Sequence, residues 1–200
     1  VYSENFTEEE KDTSALRNQE VITYGAYLNY LWDINKVIAL ETGFRADQAS
    51  AKSKISENPG ELFLLPRISS LFKLSRQFSV RLGGGMGYRM PTIFNEEAEP
   101  HGFSNIQAMD YANVKAERSY GGNFDFKYQS TFGTEKVLLT FNQVFFYNLI
   151  DNPILLNADT TGMLYYSNDG EFLTSNGFES QLKLTVGKFT LFVGYTYTDV

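Results

Sequence analysis

The sequence predicts an all-β fold: an antiparallel up-and-down transmembrane β-barrel segment, with about eight strands belonging to a larger barrel. Three observations predict it. Apolar and polar residues alternate with period two along successive stretches bounded by turn residues. The connections between those stretches alternate between short and long. The composition is 42% hydrophobic and 16% aromatic, rich in Tyr and Phe, which suits strands and interfacial girdles. No run of about eighteen apolar residues exists, which excludes a membrane-spanning helix but not a barrel, where only alternate residues need be apolar.

Val1–Gln19 is acidic and aperiodic and reads as a loop; its Asn5-Phe6-Thr7 sequon is a pattern too short to carry weight. Val21–Trp32 is the first strand, with Ile22, Tyr24, Ala26, Leu28, Tyr30 and Trp32 on one face and Thr23, Gly25, Tyr27 and Asn29 on the other. Asp33–Lys36 turns the chain into Val37–Asp47, where Glu41, Gly43, Arg45 and Asp47 share a face. Charges of both signs on one face are costly in a dry core and cheap in a wet lumen. Gln48–Gly60 reads as a polar loop ending in the turn signal Asn58-Pro59-Gly60.

Leu65–Leu74 puts Ile68, Phe72 and Leu74 outward and Arg67, Ser69 and Lys73 inward. Ser75-Arg76-Gln77 leads tightly into Phe78–Phe94, whose first half places Phe78, Val80, Leu82, Met86 and Tyr88 outward and Arg81, Gly83, Gly85, Gly87 and Arg89 inward. Pro91 ends the pairing because it has no N–H to give. Asn95–Lys115 is a long mixed connection. Tyr120–Gln129 resumes the alternation, and Gly133 marks the next turn. Val137–Asn148 is the least regular strand: Val144 and Phe146 fall on its polar side, through a bulge or through an apolar contact inside the barrel. Leu149–Leu173 is the longest loop, and Asn168-Asp169-Gly170 marks a small hairpin within it. Thr174–Val186 and Phe189–Thr198 are the last strands, joined by the two-residue turn Gly187-Lys188.

The short connections follow the odd strands and the long ones follow the even strands. Outer-membrane barrels sort their turns in this way, whereas Greek-key sandwiches mix them. The chain starts and stops on the long-loop side, so it is expected to be an internal segment of a larger barrel. A net charge of −7 makes nucleic acid an improbable partner, and the absence of cysteine removes disulfides and thiolate metal sites. His101 is the one imidazole and sits in no nucleophile–base pattern, so no catalytic residues are assigned and an enzyme is not expected. Nor is a cofactor or a resident metal.

The stretch Leu82–Pro100, with Gly85, Gly87, Tyr88, Arg89, Pro91, Thr92 and Glu96, resembles the mid-barrel signature of TonB-dependent outer-membrane receptors. Further segments resemble the family's motifs in its order: Leu40–Asp47, Val114–Ser119 (with Ala116 at a usual proline), Asn176–Glu179 and Tyr195–Asp199. Their flavour is closest to receptors of the Bacteroidetes. The resemblance implies a cell outer-membrane, multi-pass barrel of about twenty-two strands, closed by a plug domain that residues 1–200 do not include. It also implies TonB-energised uptake of a scarce nutrient such as an iron–siderophore, haem or cobalamin. The implied partners are outer-membrane lipid, the protein's own plug domain, the TonB complex through the missing N-terminal part, and the small nutrient ligand. The alternative is a passive pore or surface-binding barrel without TonB coupling.

On that reading Arg81, Gly83, Gly85, Gly87 and Arg89 are the plug-facing candidates; the competing account of the glycines is a bare patch that lets the strand bend. Glu96, Glu97 and His101, with Tyr165 and Tyr166, are the loop candidates for ligand contact, weighed against a solvated acidic run and aromatics that close on one another.

Overall fold

The computed structural model describes residues 2–6, 18–95, 98–101, 105–133, 137–168 and 170–200. They form β1 (Tyr2–Phe6), β2 (Gln19–Asp33), β3 (Ile38–Lys52), β4 (Glu57–Lys73), β5 (Phe78–Arg89), β6 (Glu117–Phe132), β7 (Val137–Asp151), β8 (Ile154–Ala158), β9 (Leu164–Asn168), β10 (Leu173–Val186) and β11 (Phe189–Asp199), with one 3₁₀ turn at Glu99–His101. Nine of these strands make a single sheet in the order β1-β2-β3-β4-β5-β6-β7-β10-β11, and β8 and β9 pair separately as a hairpin. Each chain-adjacent pair is antiparallel, as up-and-down topology requires.

The two faces differ as alternation demands. Rings on the outer face form a connected band: Phe78 meets Phe126, Phe126 meets Phe141, Phe124 meets Phe145, Phe145 meets Phe178, and Phe178 meets Tyr195 and Tyr197, with centroids 5.8–6.3 Å apart. Gln143 breaks this band, and its Oε1 accepts the Ser180 hydroxyl at 2.5 Å from the facing strand. That bond pairs two polar groups, each of which would otherwise face hydrocarbon alone. Among the described residues, none of the buried apolar ones belongs to this outer face; they lie in two clusters at the long-loop end. The greasy side of the sheet is therefore not the interior of a globule.

Four local expectations change. Tyr2–Phe6 pairs with Gln19–Thr23 instead of remaining loop. Gln48–Gly60 is mostly strand, because β3 and β4 run on to a tight turn at Ser53–Ser56, where Ser53 Oγ accepts from the N–H groups of Ile55 and Ser56. The Asn58-Pro59-Gly60 signal marks a bulge: Ala49 pairs with Glu61 and Ala51 with Asn58, so two residues oppose Ser50, and Gly60 takes φ = 141°. A proline without an N–H belongs where the ladder is already interrupted. The β7 ladders show no register break, so Val144 and Phe146 face the lumen by plain alternation. Finally, the β8–β9 hairpin turns at Asp159–Met163, while Asn168 leads toward β10.

A further departure shapes the upper wall. The β4–β5 ladder runs from Lys73–Ser79 to Arg67–Gly85 and stops beside Pro66, while β3–β4 and β5–β6 each continue. Above this fork Tyr88, expected outside, stacks its ring on Phe63 at 3.8 Å and 4° and donates its hydroxyl to Asp47 Oδ2 at 3.1 Å. Phe63 and Asp47 are cross-strand partners on the lumen face. Arg118, the partner of Tyr88, lies 5.3 Å over the Phe63 ring and bonds Glu61 at 2.5 Å. Outer-parity side chains of β5–β6 thus cover the inner face of β3–β4. The wall is one layer thick below the fork and two above it, with β5–β6 on the lumen side.

Candidate functional site

Between the inner face of β2–β4 and the inturned end of β5 lies a cavity of about 700 Å³, lined on the wall by Thr23, Tyr27, Asn29, Arg45 and Arg67 and on the β5 side by Arg89. Met90, Pro91 and Thr92 close its upper end. Period two puts these wall residues on one face, and the fork at Pro66 swings β5 across them.

The cations are held by wall carboxylates. Arg45 donates Nε to Asp47 Oδ1 at 2.8 Å and Nη2 to Oδ2 at 2.8 Å, and Asp47 is fully buried. Arg67 pairs with Glu41 one strand away. Arg89 grips Glu117 through Nε at 2.6 Å and Nη2 at 2.9 Å. A guanidinium has five N–H donors, so Arg45 and Arg67 keep donors in hand after pairing. The cavity is a polar, charge-balanced surface with oriented donors.

A second hollow of about 570 Å³ lies below it, over the glycine run. The glycine positions are not bare. A Cβ on Gly83 would stand 2.6 Å from Asn123 Oδ1, and one on Gly121 2.6 Å from Asn148 Oδ1; each asparagine is the direct cross-strand partner. Glycine lets the facing amide lie flat on the wall. The result is a low amide floor with Arg81 and Phe146 at its edge.

Above the cavity the long connections form the main apolar core. Ile93, Ile106, Met109, Tyr111 and Val114 from the β5–β6 connection pack with Ile154 and Tyr166 of the hairpin and against Val21 and Ala51 on the wall. Polar ties join the two loops: Tyr166 Oη to Asn95 Oδ1 at 2.6 Å, Gln107 N to Leu164 O at 2.8 Å, and Lys115 N to Asn168 Oδ1 at 2.7 Å. Burial pushes the Tyr111 phenol well up from its ordinary value, and its hydroxyl donates to Pro91 O at 3.2 Å.

The candidates named from sequence separate accordingly. Arg81, Gly83, Gly85, Gly87 and Arg89 lie on the lumen face by register, around the two hollows. Tyr166 is buried in the loop core, whereas Tyr165 points to the exposed side of the hairpin. His101 ends the 3₁₀ turn, and Glu96 and Glu97 lie outside the described residues. The sequence reading did not single out Thr23, Tyr27, Asn29 and Arg45 as one site. Each was visible as an inward residue; their convergence was not, because it depends on the fold-over of β5.

A sequence model described as TonB dependent receptor-like, beta-barrel matches residues 2–200. No curated protein matches the sequence. Among solved structures the chain is similar to the haemophore receptor HasR of Serratia marcescens, in complex with its haemophore and haem, at 14% identity and TM-score 0.73, covering 92% of this chain and 34% of that one. It is similar to the FrpB iron transporter of Neisseria meningitidis at 20% identity and TM-score 0.67, covering 90% and 26%. It is also similar to the pyoverdine receptor FpvA of Pseudomonas aeruginosa, bound to pyoverdine, at 12% identity and TM-score 0.64, covering 95% and 26%. The chain spans between about a quarter and a third of the length of these structures. With a wall oily outside and polar within, and a family match along nearly its whole length, this chain is part of an outer-membrane β-barrel and belongs to the TonB-dependent receptor-like β-barrel family.

Proposed function

We propose that this chain forms part of the wall, lumen surface and external loops of a receptor that imports a scarce nutrient with energy delivered through TonB. The observation that carries the reading is the donor-lined cavity beneath a packed loop core, on the wet face of a membrane wall. Such a surface hydrogen-bonds a polar or anionic chelate without the cost of an uncompensated buried charge. The cargo class is an iron–siderophore, haem, cobalamin or similar ligand; the names of the similar structures support it with haem, iron and pyoverdine. A plug domain outside residues 1–200 packs on the amide floor and on Arg81 and Arg89, and couples to TonB.

The test is uptake of ferric siderophores, haem and cobalamin by cells carrying the full-length gene, with and without TonB. Uptake of one of them only with TonB is expected, and uptake that ignores TonB would establish the passive pore instead. In the intact receptor, Arg45→Gln with Arg67→Gln should weaken binding of the imported ligand by about a hundredfold or more, since each hydrogen bond to a charged group contributes roughly 1.5–3 kcal/mol.

A further inference from the structure

The short-turn end of the wall repeats one arrangement. Between β2 and β3, Asn35 Oδ1 accepts from the N–H groups of Val37 and Ile38 at 2.8 and 2.9 Å. Between β4 and β5, Ser75 Oγ accepts from Gln77 and Phe78 at 3.1 and 3.0 Å. In both turns the side-chain cap is followed at once by a cation, Lys36 or Arg76, which the capped backbone leaves exposed at the tip. The β10–β11 turn reaches the same end differently: Gly187 takes φ = 58° and Lys188 stands exposed beside it.

Each tip cation has a large apolar side chain of the outer face near it. Trp32, Leu74 and Phe189 are 51%, 59% and 83% exposed. Asp33 is the one acidic residue among the described residues of these three turns, and its odd position puts it on the lumen face of β2, away from Trp32, whereas the long connections carry Glu99, Asp110, Asp159 and Glu171. The β2–β3 and β4–β5 turns stand two strands apart, about 10 Å, and the β10–β11 turn lies four strands beyond, about 20 Å. The pattern is a spaced row of exposed cations at the edge of an oily band.

We propose that this rim docks on the phosphates of anionic phospholipid headgroups in the leaflet that borders the short turns. Charge complementarity selects the occupant. A polar anion alone has no use for Trp32, Leu74 and Phe189, while an anionic lipid presents acyl chain and phosphate at the depths where the two sets of side chains lie. The inference rests on the chain's place in an outer-membrane barrel and not on which ligand the receptor imports.

The experiment titrates the full-length receptor in detergent with phosphatidylglycerol and with phosphatidylcholine, and resolves bound lipids by native mass spectrometry. Phosphatidylglycerol is expected to be retained in preference, less so as salt rises, with the preference falling roughly fivefold for each cation removed in Lys36→Gln, Arg76→Gln and Lys188→Gln. The matched variant Lys52→Gln, Lys54→Gln, Lys115→Gln at the long-loop end should keep it. Three outcomes overturn the proposal: no preference in the wild type, equal loss in the matched variant, or displacement of phosphatidylglycerol by inorganic phosphate, which would make the rim a site for free anions.

Discussion

The lower and upper parts of β5 carry the same alternation and end in different surroundings. From Phe78 to Leu82 the even residues join the aromatic band and the odd ones face the lumen. At Tyr88 the parity is unchanged, yet the ring lies against Phe63 inside the barrel. The difference is the neighbour. Below Gly85, β4 is hydrogen-bonded alongside; above it, β4 has parted at Pro66 and stands behind. Period two reports two faces of a ribbon, and it reports lipid contact only where the ribbon is the outermost layer.

The sharpest way to break this comparison is a matched pair of truncations. Phe63→Ala removes a buried ring together with its stacking on Tyr88 and its cover by Arg118. It should destabilise the upper wall by about 3–5 kcal/mol. Phe124→Ala removes a ring that faces lipid, where acyl chains refill the space, and should cost about 1 kcal/mol from lost ring contacts. Urea unfolding of the full-length receptor in lipid vesicles measures both. Equal losses would mean that the two regions are not packed differently.

A second pair tests whether the wall yields. A Cβ on Gly177 would collide with the backbone oxygen of Tyr197, which cannot move without breaking the β10–β11 ladder. Gly177→Ala should therefore cost about 1–3 kcal/mol. At Gly83 the obstacle is the end of the Asn123 side chain, free to swing into the hollow, so Gly83→Ala should cost under about 1 kcal/mol. Thermal stability of the assembled barrel separates them, and a larger loss at Gly83 would contradict a yielding amide floor.

The smallest expected effect is a pH dependence confined to the long-loop end. Asp110 is held below the usual aspartate range by hydrogen bonding from Asn113 and then by the Ala112 N–H. Asp159 is lowered likewise, first by Thr161 and then by backbone N–H groups. A depressed carboxylate contributes stability that is present above its ordinary value of 3.8 and is lost as pH falls through the folded value. Hydrogen exchange around residues 105–116 and 154–168 should quicken below about pH 4 while exchange in lower β5–β6 stays slow. The double substitution Asp110→Asn, Asp159→Asn should flatten that response, and an unchanged response would remove these carboxylates as its cause.

Much of the site was written in single residues without being legible as a site. Arg45, Arg67 and Arg89 each read as inward, and so did Asp47; their meeting around one cavity needed three strands placed by register and a fourth folded across them. Asn58-Pro59-Gly60 misled for a related reason. A turn signal states that the local ladder is broken, and a bulge within a long hairpin breaks it as well as a loop does. Tyr166 lost its place among ligand candidates because two distant loops bury it together, and no local pattern encodes that.

By itself the sequence determined the ribbon: strands of period two, one face apolar and one polar, short turns against long loops, and a row of residues able to line a wet interior. Alternation suffices for this because side-chain direction along a strand is fixed by backbone geometry. Only the tertiary structure decided what stands behind each face. The parting of β4 and β5 beside a proline with no N–H, the two-layered upper wall, and the core shared by two loops all depend on contacts between residues far apart in the chain, which no local period records.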